Sequence, residues 1–273
     1  MKLKPAKIAI VQPRAYRFDE EKKNLDKAIS YVREAAKREA NFISFPECYP
    51  GPYSGPCDFT PVEAMCKEAR NVGAYLLFGA AIEEKKGKIY NRYFTVSPKG
   101  EVIGEHDKLL IAGVDSLLAG GKNFEPGYRL NVVKTEFGTI GNLTCWEAWF
   151  PELARVLAYK GAEIFFFPTG NLQYDYRKNW KALLWSRAIE NLAYSANTQN
   201  VWDDGRGFSN IFSPEDELGE NYWEGTLYAD VDLERIRTLR STRIRTGLAK
   251  DAFRVIPGLL GYINPKQFYD KWF

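Results

Sequence analysis

Three side chains of different chemistry each follow a segment that is typical of a buried strand. Glu47 comes directly after an apolar run that Pro46 ends, Lys108 lies near the end of an extended stretch, and Cys145 follows another strand-like run. Functional groups of open α/β sheets gather at the carboxyl ends of strands, so we expect these three side chains to lie close together. A cysteine beside a carboxylate and an ammonium predicts nucleophilic hydrolysis through the thiol.

Cys145 has the strongest local argument of the three. It lies between the predicted strand 139–144 and Pro151-Glu152, a pair that opens helices, and so occupies a strand-to-helix corner like a nucleophile elbow. We expect nearby backbone amides and a lysine ammonium to lower the pKa of the thiol. A buried, inert cysteine is the alternative when this residue is considered alone.

The base that activates the thiol could be a carboxylate or an imidazole. Glu47 follows an apolar run, and burial can raise the pKa of a carboxyl until it acts as a base near neutral pH. His106, the one histidine, lies two positions before Lys108 and would share its face of a strand, so a Cys–His enzyme stays open at this point. Glu47 or Lys108 alone would be an ordinary surface charge, and the prediction depends on their combination.

The elements that position these groups alternate between strands and helices. Apolar runs predict strands over 7–12, 41–45, 75–82, 90–96, 102–110, 129–133, 139–144, 162–167, 194–201, 208–212 and 225–231. Helical spacing of apolar residues predicts helices over 25–36, 151–160 and 180–192. The second half repeats the order of the first, and no Gly/Ser/Pro linker divides them. We expect one α/β domain over 1–273, built as a layered sandwich.

Composition excludes several classes of protein. Hydrophobic residues make up 45% of 273, and the net charge of +3 is spread without basic blocks, so we expect no nucleic-acid partner. We find no apolar signal region and no run long enough to cross a membrane, and therefore expect a cytoplasmic protein without a membrane partner. The four cysteines and the one histidine lack metal-ligand spacing, so neither a metal site nor a disulfide framework is expected. These residues are Cys48, Cys57, Cys66, Cys145 and His106.

Several short motifs carry a resemblance to a known family. They are Phe45-Pro46-Glu47, Glu105-His106-Asp107-Lys108, and Gly141-Asn142-Leu143-Thr144-Cys145-Trp146-Glu147 followed by Phe150-Pro151-Glu152. Weaker matches are Tyr90-Asn91, Phe124-Glu125-Pro126-Gly127 and Arg187-Ala188. In this order and at these separations the motifs resemble the nitrilase, or carbon–nitrogen hydrolase, superfamily over residues 7 to about 232.

The resemblance implies a fold and an assembly. The expected fold is an αββα sandwich that dimerises through its outer helices into a four-layer αββα–αββα assembly. The chain would then be a homodimer or a higher homo-oligomer, with the C-terminal tail 233–273 in oligomer contacts. The family needs no cofactor and no metal, so none is expected.

The resemblance also implies a role for each motif residue. Glu47 takes the proton of Cys145, whose thiolate attacks the substrate carbon. Lys108 and the backbone amide of Trp146 stabilise the developing oxyanion. Glu47 then protonates the leaving amine and later activates the water that hydrolyses the thioester.

Aromatic residues in the same segments are candidates for substrate binding. Aromatic side chains can shape an apolar or cation-accepting pocket, although they are also common core residues. The candidates are Tyr49, Tyr53, Trp146, Trp149 and Phe150.

One position departs from the family pattern. Many members carry a second glutamate four residues before the Phe of the Phe-x-Pro-Gly segment, and here that position is Gly120. In relatives that carboxylate helps to position the lysine, and Asp115 could replace it if the loop folds back. Glu147 is expected to form a structural ion pair with Arg155 rather than to act in catalysis.

Three hypotheses for the function follow. The first is hydrolysis of a small amide or carbamoyl amide to an acid plus ammonia or an amine. The second is a true nitrilase, which converts a nitrile to a carboxylic acid plus ammonia. Cys145-Trp146-Glu147 resembles true nitrilases, whereas Trp149-Phe150-Pro151-Glu152 with Arg155 resembles carbamoylputrescine-type amidases, and chain length favours the amidases. The third hypothesis, a non-catalytic binding module, is disfavoured because all three chemically distinct residues are present.

Overall fold

The protein contains two six-stranded sheets in a computed structural model that describes residues 5–84, 87–170, 176–201 and 206–241. The first sheet has the order β12-β1-β2-β3-β4-β5. Its strands are β1 (Ala6–Gln12), β2 (Phe42–Ser44), β3 (Tyr75–Glu84), β4 (Lys88–Val96), β5 (Val102–Asp107) and β12 (Gly225–Val231). β1, β2 and β3 run parallel, and the other pairs are antiparallel.

The second sheet repeats this plan in the order β11-β10-β9-β8-β7-β6. Its strands are β6 (Val132–Lys134), β7 (Thr139–Asn142), β8 (Ile164–Thr169), β9 (Tyr194–Gln199), β10 (Ser209–Phe212) and β11 (Glu217–Asn221), with β7, β8 and β9 parallel. The described helices are α1 (Lys23–Lys37), α2 (Val62–Val72), α3 (Asp115–Leu118), α4 (Pro151–Tyr159), α5 (Arg177–Asn191) and α6 (Leu233–Ser241).

Strand periodicity explains why both faces of each sheet are covered. In β1, Ile8 and Ile10 belong to the core between the sheets, while Ala9 and Val11 belong to the core under α1 and α2. A matching core lies between the second sheet and α4 and α5. Phe42 and Phe166 meet across the sheets, with ring centroids 6.1 Å apart. The layers are therefore helix, sheet, sheet, helix, and the predicted αββα sandwich is confirmed.

The boundaries differ from the sequence predictions in a few places. β5 ends at Asp107, so Lys108 follows the strand instead of lying within it. α2, α3, β11 and α6 were not predicted. α2 buries mainly the small face of Met65 and Ala69, and β11 is a polar edge strand that exists through its pairing with β10.

α6 is the part of the expected C-terminal tail that can be described. Arg237 forms an ion pair of 2.6 Å with Glu163, and Arg240 donates to the carbonyls of Ala162, Asn191 and Leu192. These contacts join α6 to the second sheet and the end of α5 of the same chain. Residues 242–273 of the predicted tail lie outside the described residues, so its oligomer contacts stay a prediction.

The described part of the chain contains neither a membrane-spanning helix nor a cluster of metal ligands. No helix there is both long and apolar enough to span a membrane. No group of three or more His, Cys, Asp or Glu side chains among those residues is arranged to hold a metal ion.

Candidate functional site

Glu47 follows β2 and lies at the carboxyl ends of the parallel strands. Its neighbour Cys48 runs so close to β3 that a Cβ on Gly79 would be 2.5 Å from the Cys48 amide nitrogen. The Glu47 side chain is buried and accepts hydrogen bonds from Asn91 Nδ2 (2.8 Å), Lys108 Nζ (2.8 Å) and the amide of Gly170 (2.9 Å). All three partners are donors, so the carboxylate is held in one position between the two sheets.

Lys108 is completely buried and lies between two carboxylates. Its Nζ donates to Glu47 Oε1 at 2.8 Å and to Asp115 Oδ2 at 2.9 Å, and its own amide donates to Asn91 O at 3.0 Å. Burial alone would lower the pKa of Lys108, but the negative charges of Glu47 and Asp115 hold it well above its usual value. The side chain is therefore a permanent cation at this position.

Asp115 supplies a second carboxylate next to Lys108, where Gly120 replaces the glutamate of the family pattern. α3 begins at Asp115, whose Oδ2 also accepts a hydrogen bond of 2.8 Å from the amide of Ala112. Gly120 has a positive φ of 63°, and a Cβ there would lie 2.2 Å from the carbonyl oxygen of Ser54. No larger residue fits at Gly120 without a shift of backbone, so the carboxylate comes from Asp115 instead.

Cys145 lies at the predicted corner between a strand and a helix. It begins a short 3-10 helix, Cys145–Trp149, directly after the β7 segment, and its φ of +50° is a left-handed conformation that non-glycine residues seldom adopt. The residue is partly exposed, as a nucleophile elbow requires. The structure thus supports the predicted corner.

The expected direction of the Cys145 pKa is wrong. Burial and the negative charge of Glu47 raise the pKa of the thiol, Lys108 opposes this, and Asp115 raises it further. The ammonium of Lys108 does lower the pKa, but two carboxylates and burial outweigh it. Cys145 therefore rests as a neutral thiol, and a base must remove its proton when it attacks.

Glu147 joins the lysine segment to the cysteine corner. Its buried carboxylate contacts His106 Nε2 at 2.7 Å and accepts 2.6 Å hydrogen bonds from the amides of Leu109 and Thr144. Burial would raise the pKa of Glu147, but His106 and the two amides hold it below its usual value. The prediction that Glu147 pairs with Arg155 is wrong, because Glu147 pairs with His106. This contact directs Nε2 of His106 to Glu147.

The aromatic candidates separate into two groups. Burial and the charge of Glu47 raise the pKa of the Tyr53 hydroxyl, which places Tyr53 beside the triad. Trp146 is 43% exposed next to Cys145, with Trp149 and Phe150 rings 6.0 and 6.2 Å from it. These four stay candidates for substrate contact.

Tyr49 belongs to the other group. It is 1% exposed in the core under α1 and α2, stacks on Phe45, and donates from its hydroxyl to Asn24 O at 3.2 Å. A helix carbonyl on the outer side of the sheet is thus its partner. The structure gives Tyr49 a packing role, and the proposal of a substrate contact for it is not kept.

Two partners of the triad had no role assigned from sequence, although Tyr90-Asn91 was one of the weaker motif matches. Asn91 donates to Glu47 and accepts a 3.2 Å hydrogen bond from the Cys48 thiol, and the Gly170 amide donates to Glu47. An asparagine inside a strand is unusual enough to be a signal for Asn91. A backbone amide such as that of Gly170 leaves no trace in side-chain types.

Comparison with known proteins gives consistent matches. The model of the carbon-nitrogen hydrolase family matches residues 7–241. The omega-amidase NIT2 of Mus musculus is 28% identical over 236 residues, covering 80% of this chain and 86% of that protein. Nitrilase homolog 2 of Dictyostelium discoideum is 27% identical over 250 residues, covering 82% and 75%.

Solved structures match in fold. Nit3 of Saccharomyces cerevisiae, a member of branch 10 of the nitrilase superfamily, has a TM-score of 0.78 at 24% identity, covering 90% of this chain and 96% of that one. An amidase from Nesterenkonia sp. has a TM-score of 0.74 at 23% identity, covering 87% and 94%.

Proposed function

Because the chain belongs to the carbon–nitrogen hydrolase family of the nitrilase superfamily, it is a hydrolase of non-peptide carbon–nitrogen bonds, and we propose that its substrate is a small amide or carbamoyl amide. The products are an acid plus ammonia or an amine. The proposal rests above all on one observation: the buried Glu47 carboxylate and the Lys108 ammonium lie 2.8 Å apart, and the charges of both act on the thiol of Cys145.

Glu47 is the base in the first half of the reaction. As Cys145 Sγ bonds to the carbonyl carbon, the thiol proton moves to the Glu47 carboxylate and the carbonyl oxygen becomes an oxyanion. Within the described residues, Lys108 directs two of its three N–H donors to carboxylates, so one remains for the oxyanion. The Trp146 amide, in the first turn of its helix, is the second donor.

The same groups complete the reaction. The protonated Glu47 gives its proton to the leaving nitrogen, the carbon–nitrogen bond breaks, and a thioester on Cys145 remains. Glu47, again a carboxylate, then takes a proton from water as its oxygen attacks the thioester. The acid leaves, and the proton returns to the sulfur. No step requires a metal or an organic cofactor.

Amides are favoured over nitriles by the relatives. Those of Mus musculus and Nesterenkonia carry the names omega-amidase and amidase, and one structure of the latter has the acetamide moiety of fluoroacetamide added covalently at its active-site cysteine. Loss of the family carboxylate at Gly120 would hinder the proton transfers that nitrile hydrolysis needs. Asp115 supplies a carboxylate beside Lys108, so this departure does not exclude nitriles, and true nitrilase activity is the alternative that the assay must test.

Assembly and location are proposals too. A homodimer or higher homo-oligomer formed through α4 and α5 is supported by the exposed apolar side chains of Tyr159 (52%) and Ile189 (42%) on these outer helices. A cytoplasmic location is supported by four free cysteines, one of which must stay a thiol to react.

The decisive assay compares matched substrates. Ammonia release is measured for pairs of an alkyl- or arylacetamide and its nitrile, with the wild type and Cys145→Ala. We expect kcat/KM to be higher for the amide of each pair and turnover of both to vanish in Cys145→Ala. A wild type that prefers each nitrile would make the chain a true nitrilase, and activity that survives in Cys145→Ala would remove the nucleophile.

A further inference from the structure

A single peptide group near the site lies between an anion and a cation. The Ser54 amide donates to Glu21 Oε1 at 2.7 Å, and the carbonyl oxygen of the same peptide, that of Tyr53, accepts from Lys122 Nζ at 2.7 Å. The peptide dipole therefore points its positive end at the carboxylate and its negative end at the ammonium. Each charge strengthens the hydrogen bond of the other through the peptide.

Glu21 binds the turn formed by Tyr53, Ser54 and Gly55. It is only 3% exposed and follows the 3-10 helix Phe18–Glu20. Its two oxygens accept from the amides of Tyr53, Ser54 and Gly55 and from the Ser54 hydroxyl at 2.7–3.1 Å. Among the described residues Glu21 forms no ion pair, so three backbone amides and one hydroxyl compensate its buried carboxylate.

Lys122 joins the turn to the segment that carries Asp115. Besides Tyr53 O, its ammonium contacts the carbonyl of Gly55 and donates to Ala119 O at 3.2 Å. Ala119 closes α3 with a hydrogen bond of 2.9 Å to Asp115 O. Removing the ammonium would leave the carbonyls of Tyr53, Gly55 and Ala119 without their shared donor and would loosen the contact between the turn and the end of α3.

Close packing makes the connection between these segments stiff. A Cβ on Gly120 would be 2.2 Å from Ser54 O, so the loop lies directly on the turn. The ring of Tyr53 stacks on Phe124 with centroids 6.4 Å apart. Movement of the turn would therefore displace the wall of the site and the Asp115 carboxylate together.

We propose that Glu21 and Lys122 are positioning residues, which clamp the Tyr53–Ser54 peptide and thereby hold Tyr53 and Asp115 in place around Lys108 and Cys145. The inference rests on the proposed hydrolysis at Cys145. Neither residue touches the triad. Their effect on the reaction passes through the turn and α3.

If Glu21 and Lys122 position Asp115, their removal should change the pKa of Cys145, which the loss of a contact that only stabilises the fold would not do. The negative charge of Asp115 is one of the causes that raise the pKa of Cys145, together with Glu47 and against Lys108. If the clamp loosens, Asp115 moves away and the pKa of Cys145 falls. The rate of Cys145 alkylation by iodoacetamide should then rise at a lower pH, in the same direction as in Asp115→Asn.

The test uses Lys122→Met and Glu21→Gln, with Lys22→Met as the matched control. Lys22 forms an exposed pair of 2.8 Å with Asp58 that joins the same two segments without reaching the turn. We expect kcat on a small amide to fall about 10- to 100-fold in both clamp variants, as for a misplacement of the order of 1 Å, with a smaller change in KM. The control should keep the kcat of the wild type.

The pH profile of alkylation decides the meaning of a lower kcat. Mass spectrometry of the Cys145 peptide separates it from the other thiols. A profile shifted to lower pH, and a double variant no worse than Lys122→Met, support one clamp. An unchanged profile with only a lower Tm, or fully additive losses, overturns it. If the wild type hydrolyses no amide but the profile still shifts, the proposed function fails and the clamp stands.

Discussion

Replacing Lys108 by methionine removes the cation between two buried carboxylates while keeping a side chain of similar length. Glu47 Oε1 and Asp115 Oδ2 lie 2.8 and 2.9 Å from the same Nζ atom. The two oxygens are thus at most about 6 Å apart, and at an effective dielectric constant of about 20 their repulsion is about 3 kcal/mol or more. Breaking a buried ion pair typically costs about 3–5 kcal/mol. The repulsion between the two carboxylates and this typical cost therefore predict a similar loss of stability for Lys108→Met.

The loss should depend on pH with a definite sign. Without the cation, repulsion and burial raise the folded-state pKa of a carboxyl above its unfolded value of about 4, so the folded variant binds more protons than the unfolded chain. Burial already raises the pKa of Asp115 in the wild type, even with Lys108 present. The free energy of unfolding of the variant therefore falls as the pH rises from about 4, and its deficit is larger at pH 7.5 than at pH 5.

Equilibrium urea unfolding of the variants at pH 5 and pH 7.5 measures this free energy of unfolding. Lys181→Met is the matched control, because Lys181 lies between Glu217 (2.7 Å) and Glu220 (2.8 Å) but is 31% exposed. It should lose at most about 1 kcal/mol. Asp115→Asn leaves Lys108 paired with Glu47 and should lose less than Lys108→Met. A Lys108→Met loss equal to the control, or one that does not shrink at pH 5, would refute the reasoning.

Two further variants test the base and the loop. Glu47→Gln should lower kcat about 10²- to 10⁴-fold because it removes proton transfer. His106→Asn should lower kcat far less, because His106 contacts Glu147. Steady-state kinetics that show the larger loss of kcat in His106→Asn would indicate a Cys–His enzyme. Gly120→Ala should destabilise more than Gly73→Ala, since both have a positive φ (63° and 69°) but only Gly120 faces a backbone oxygen; equal losses in urea unfolding would contradict the close approach.

The layered fold could be predicted because its buried strands are nearly continuous apolar runs. Pairing order could not, since β12 joins β1 across almost the whole chain and nothing local encodes that partner. β11 was missed because Glu217–Asn221 has no apolar alternation, and pairing with β10 overrides its weak propensity.

The candidate site was predictable where a residue comes within three positions of the end of a strand. Glu47, Lys108 and Cys145 do, and the structure brings them together. The contact of Asp115 with Lys108 depends on how a loop folds, which side-chain types do not reveal. The direction of the Cys145 pKa was missed for a related reason, because it depends on how many carboxylates the fold brings near one thiol.

The three candidate groups come from both sheets. Glu47 and Lys108 follow strands of the first sheet and Cys145 follows β7 of the second, with Asn142 Nδ2 bonded to Thr95 Oγ1 at 3.2 Å across the interface. On the proposed mechanism, neither half of the chain holds all three groups, however similar the two layouts are. Two fragments cut between β5 and β6 would regain turnover only by reassociating.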